Sequence, residues 1–275
     1  MTALSLPLIY KPLSFLRRDF MEAASYRLSF LWQVFGVLFS VVMFYFISRL
    51  FGTSASPYLA AYGGKYFPFV LIGIAFTRYL NVALSTFADT VRDGQETGTV
   101  EVMLITPTRY LAVLVYSSLW DYFYVTYEVA LYLLTGIFGF GLQVGSADLL
   151  STLVVLVLTI CAFSAFGILS AAFVLVFKRG DPISFLFGTL STLLGGVYYP
   201  VTILPEWVQK CSNLLPLTYA LRAMRHAILL GTPVSRLGID LWALAGFALF
   251  GIPVSLFLFQ RALNRARKEG TLLQF

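Results

Sequence analysis

Two carboxylates in an otherwise apolar stretch are the residues of this chain best suited to chemistry. Asp121 and Glu128 lie in the apolar run 111–140. Seven residues on a helix turn the chain through about 700°, so both side chains would face nearly the same way. A carboxylate inside a bilayer is costly and marks a functional site by default. There the pair could relay protons or cations. It could also line the protein interior and pair with Arg78, a tyrosine or a serine. Arg78 stands in a second apolar run, with Asn81 one turn on. It could contact an anionic substrate or pair with one of the two carboxylates. Tyr116, Tyr122, Tyr124, Tyr127 and Tyr132 crowd the same run as the carboxylates. They either line a path for sugars or amphipathic molecules or pack against lipid.

Other chemistry is hard to find. His226 is the lone histidine, which excludes a multi-histidine metal site, and with only Cys161 and Cys211 no disulfide framework is expected. The sequence contains no GxxxxGK[ST], HExxH or GxSxG pattern. No catalytic residue, bound cofactor or ATP hydrolysis can be assigned to this chain.

The elements that would carry these residues are membrane-grade. Of 275 residues, 59% are hydrophobic and only 12% charged, with mean hydropathy +0.84; a soluble domain would carry roughly 25% charged residues. The composition predicts an all-α polytopic membrane protein. Six spans are readable, at 28–50, 66–87, 111–140, 149–177, 183–199 and 239–260, forming a transmembrane domain over 28–260. Pro7 and Pro12 stand where a cleaved signal peptide would need an apolar core, so none is expected. One side of this topology holds roughly twice the Lys and Arg of the other, which places both termini in the cytoplasm. The net charge of +6 therefore reads as topology, not as affinity for nucleic acid.

Four segments are not spans. Within the cytoplasmic segment 1–27, Leu13, Leu16, Phe20 and Ala24 share one helical face, with Arg17, Arg18, Asp19 and Glu22 elsewhere. That pattern predicts an amphipathic helix on the membrane interface, its arginines reaching lipid headgroups. The polar island 88–110 separates spans 2 and 3. Gly94 and Gly98 should break local order there, and Thr99 can cap a short helix with Val100, Met103 and Leu104 on one side and Glu101 on the other. Pro107 then forces the chain to re-aim. The stretch 200–238 is too polar to span and too apolar for a free loop. Pro205 and Trp207 suggest a helix start and Pro216 a break, and 217–230 reads as a second helix ending at Gly231. Two short re-entrant helices would fit, with Arg222 and Arg225 at the outer headgroups or meeting Glu206. The last segment, 261–275, is a basic cytoplasmic tail.

The run Glu96-Thr97-Gly98-Thr99-Val100-Glu101-Val102-Met103-Leu104-Ile105-Thr106-Pro107 resembles the E-x-G-T-x-E-x-(M/L)-L-x-T-P pattern of type-2 ABC exporter permeases. Gly195-Gly196-Val197-Tyr198-Tyr199-Pro200, Leu204-Pro205 and Leu215-Pro216-Leu217-Thr218-Tyr219-Ala220 resemble that family's outer pattern, with Leu215 where asparagine is common. The likeness covers nearly the whole chain.

The resemblance implies a permease of a prokaryotic plasma (inner) membrane. It would pair with a second permease, most simply as a homodimer. Each copy would dock a separate ATP-binding subunit, two in all, which would hold ATP and Mg. Glu96, Gly98, Thr99, Glu101, Met103, Leu104 and Pro107 would form a coupling helix seated in that ATPase. The helix with Arg17, Arg18 and Phe20 would be the interfacial connecting helix. Arg78, Asp121, Tyr124 and Glu128 would be candidates to line the path. Tyr198, Tyr199, Pro200, Pro205, Trp207, Pro216, Arg222 and Arg225 would belong to the outer re-entrant region. The cargo implied is a lipid, glycolipid, drug or lipid-linked oligosaccharide. One alternative is a polysaccharide exporter; another is a proton- or sodium-coupled secondary transporter using Asp121 and Glu128.

Overall fold

The computed structural model describes residues 6–52, 56–105, 110–142, 144, 147–177 and 180–269, and all regular structure among them is helical. Among the described residues, five helices are long and apolar enough to cross a membrane. These are α2 (Arg27–Phe51), α3 (Tyr66–Glu96), α5 (Tyr110–Phe140), α6 (Leu149–Phe177) and α10 (Gly238–Glu269). The shorter helices are α1 (Leu6–Ser25), α4 (Thr99–Ile105), α7 (Pro182–Leu194), α8 (Glu206–Ser212) and α9 (Pro216–Leu229).

The bundle is organised around α3. Its most apolar window is 72% buried, against 11% for the corresponding windows of α2 and α10. α3 packs along α5 and α6, and α6 packs along α10. α2 keeps Trp32, Phe35 and Phe39 exposed, and α7 does the same with Phe185 and Leu186.

Three expectations change in extent. The expected fifth span, 183–199, is helical only to Leu194. Thirteen residues rise about 20 Å, short of the roughly 30 Å apolar core. Gly195 ends the helix and Gly196 takes φ 78°, so the chain turns back into the protein. Six full-length spans are therefore not present among the described residues. α3, by contrast, does not stop near residue 87. It runs straight through Gly94 to Glu96, because Val91, Gly94 and Gln95 are buried while the charged residues Asp93 and Glu96 face outward. Only Gly98, at φ 69°, breaks the chain. The basic tail begins as the last turns of α10, where Ala262, Leu263 and Ala266 bury against the cluster containing Ile168, Ala172 and Leu175.

Candidate functional site

The polar residues of α3 and α5 form a ladder along one antiparallel seam. Arg78 Nε lies 2.7 Å from Glu128 Oε1. Next to it, the Tyr79 hydroxyl donates to Thr126 Oγ1 at 2.9 Å. Two turns further on, Thr86 Oγ1 donates to Asp121 Oδ2. Both carboxylates thus face α3, as their spacing predicts, but each is held by its own partner. Seven residues of helix separate them by about 10 Å along the axis. Tyr122 does not join the ladder; its hydroxyl meets Ser164 Oγ on α6 at 2.7 Å. Tyr124 packs edge-on against Phe30 of α2.

The Arg78 side chain is 42% exposed while Glu128 is 6% exposed. Asn81, one turn from Arg78 on α3, is exposed. A groove of ≈ 430 Å³ lies there between α3 and α7, lined by Asn81, Ser184, Thr189 and Thr192. The α7 hydroxyls were not singled out in the sequence. Their small polar side chains in an apolar run were the available signal.

At one end of α3 the chain folds back as α4. Val100 is fully buried, beside the place a side chain on Gly94 would occupy. The Thr97 hydroxyl donates to the Asp93 carbonyl at 2.6 Å and pairs with Thr99 Oγ1 at 2.9 Å. Glu96 is exposed, Met103 packs partly against the core, and Ile105 is 85% exposed. The side chains of Glu101 and Leu104, and all of Pro107, lie outside the described residues. Among the described residues, Val100 and part of Met103 anchor this short helix while Ile105 is presented outward.

α1 leans on α5 beside it. Phe20 packs edge-on against Trp120, and Phe15 tilts against Tyr116. Arg17 is exposed, and Arg18 pairs with Asp19 at 2.7 Å while stacking over Phe15. Between α1, α3, α4 and α5 lies a cleft of ≈ 630 Å³, lined among others by Asp19, Glu22, Asp93, Trp120, Asp121 and Tyr124.

At the other end, α8 and α9 fold back into the bundle. Pro205 precedes α8, and Pro216 opens α9 at its first turn, where its missing N–H costs nothing. Trp207 is exposed and Pro200 buried. Tyr198 stacks on Phe44, and the Tyr199 hydroxyl donates to the Leu193 carbonyl at the end of α7. Tyr198 and Tyr199 join Phe51, Tyr58, Tyr66 and Ile203 around a cavity of ≈ 630 Å³.

The two arginines of α9 go elsewhere than the sequence suggested. Arg222 does not meet Glu206; its Nε donates to Asp240 Oδ1 at 2.8 Å, because α9 packs along the first turn of α10. Nor does Arg225 reach outward. It is 2% exposed and donates to the carbonyls of Phe69 and Val197, each at 3.1 Å.

Residues 13–229 match the family model described as ABC-2 type transporter. A 74-residue segment is 36% identical to the inner membrane transport permease YadH of Escherichia coli strain K12, covering 27% of this chain and 29% of that protein. The protein of the same name from Shigella flexneri matches to the same extent. With the family model spanning most of its length, the chain belongs to the ABC-2 type transporter family.

Proposed function

We propose that this chain is the permease subunit of an ATP-driven exporter, working in a prokaryotic plasma membrane with both termini in the cytoplasm. The observation that carries the reading is α4. It is a seven-residue helix, anchored by Val100, presented outward at the end of the most buried of the five membrane-length helices. A separate ATP-binding subunit, holding ATP and Mg, would grip it, with Glu96, Gly98, Thr99 and Met103 shaping the docking surface. α1 would lie along the cytoplasmic interface beside it.

A second copy of the chain would cover the apolar faces of α2 and α7. The groove bearing Asn81 and the α7 hydroxyls would then face the path between copies, with Arg78 one turn away on α3. α7 and the turn after it would complete a sixth crossing within that pair. An amphipathic cargo, a lipid, glycolipid or drug, fits a path with both aromatic and hydroxyl lining. The membership in a permease family and the likeness to an inner membrane transport permease support this reading.

Co-purification tests it. The chain should bring down an ATP-binding subunit, and Glu101→Lys should lose that subunit while the permease remains membrane-inserted. Full transport by reconstituted permease without any ATPase would overturn the proposal.

A further inference from the structure

Arg225 carries a charge into the protein interior with no ion pair among the described residues. A buried charge persists only if its donors are satisfied. Two of them are met by backbone. Nε donates to the Phe69 carbonyl on α3, and Nη2 to the Val197 carbonyl in the turn after α7. The guanidinium also lies 3.5 Å from the centroid of the Phe69 ring and 5.7 Å from that of Tyr62, a favourable setting for a desolvated cation.

The three segments meet at Gly73. A Cβ at that position would sit 2.3 Å from the Val197 carbonyl oxygen and 2.6 Å from Arg225 Nη2. The turn therefore rests directly on the α3 backbone, and Arg225 from α9 holds it there. Residues 198–200, which follow immediately, line the tyrosine-rich cavity. At its far end the same α3 passes into α4. The helix is continuous over 31 residues, so it spans about 46 Å without a joint.

We propose that Arg225 is a positioning residue for transport. It ties the turn 197–200 and α9 to the outer end of α3, so that displacement of α4 reaches the tyrosine-lined cavity. This rests on the reading that α4 is driven by an ATP-binding subunit. Two fixed carbonyl acceptors select arginine. A lysine reaches one of them, and a methionine fills the volume and satisfies neither.

The test needs no knowledge of the cargo. In the complex with its ATPase, Cys161 and Cys211 are replaced by serine and Tyr198→Cys is introduced. Its alkylation by a membrane-impermeant maleimide is timed without nucleotide and after trapping with ATP and vanadate. With Arg225 present, trapping should change the rate about fivefold or more, the lower end of ordinary coupling between linked sites. In Arg225→Met the complex should still assemble and hydrolyse ATP, but the change should shrink below about twofold, with Arg225→Lys in between. Gly73→Ala, which pushes the turn away from the α3 side, should mimic Arg225→Met.

An undiminished response in Arg225→Met overturns the proposal. If that variant fails to assemble, Arg225→Lys and Gly73→Ala decide it on the same readout. A parent complex that hydrolyses ATP yet leaves the label unaffected also overturns the clamp. A parent chain that forms no ATPase complex overturns instead the function on which the clamp rests.

Discussion

Arg78 and Glu128 meet at 2.7 Å across the α3–α5 seam, but their side chains are unequally shielded: that of Glu128 is 6% exposed and that of Arg78 42%. The two ends are therefore not interchangeable. Removing the arginine strands a buried carboxylate. Removing the glutamate leaves a cation on the more exposed side chain of the two. Arg78→Met should cost about 3 kcal/mol, in the range for breaking a buried pair, and Glu128→Gln about 1 kcal/mol or less. Thermal unfolding of both variants in detergent measures the difference. Equal losses, or a larger loss for Glu128→Gln, would contradict this asymmetry.

Asp121 is held by a hydroxyl rather than a cation. Asparagine keeps an acceptor oxygen in the same place, so Asp121→Asn should change stability by less than about 1 kcal/mol. Thr86→Val removes the donor and leaves the carboxylate unmet, at about 1–3 kcal/mol. A sharp fall in transport for Asp121→Asn at unchanged stability would favour the relay reading of this residue.

Gly98 turns α3 into α4 at φ 69°. A β-branched residue there is strained, whereas asparagine tolerates the left-handed region. Gly98→Val should abolish co-purification with the ATP-binding subunit, and Gly98→Asn should retain most of it. Both variants should still insert in the membrane. The ratio of ATPase to permease in purified complexes is the readout, and equal ratios for the two variants would detach the backbone argument from docking.

Arg222 and Asp240 join α9 to α10 with side-chain exposures of 38% and 10%. Such a half-shielded contact should show a coupling energy of about 1 kcal/mol in a double-mutant cycle of Arg222→Met and Asp240→Asn. Additive losses in melting experiments would mean that the contact contributes nothing to the seat of α9.

Much of this architecture was legible in the sequence, and the misses have physical causes. The run 149–177 is uniformly apolar, and α6 occupies Leu149–Phe177. The expected span 183–199 took Val197 with the lipid-facing residues, yet Val197 is buried against protein, and an apolar residue type does not say which of the two covers it. The end of α3 was missed for the opposite reason. Its polar residues obscured a helical period in which Val91 and Gln95 face the core. The carboxylate pair was readable from spacing alone, since seven residues return to one face. The partners of the α9 arginines were not. Asp240 lies 18 residues from Arg222, and the carbonyls held by Arg225 lie 28 and 156 residues away. A backbone acceptor leaves no trace in residue type.

The α3–α5 ladder has one more consequence. These two helices are the legs of a hairpin, and α4 is its bend. Sliding one leg past the other by a single residue, about 1.5 Å, would strain an ion pair and two hydrogen bonds together. If α4 is driven as proposed, a push at the bend would therefore lift or tilt the hairpin as one piston, with its register unchanged.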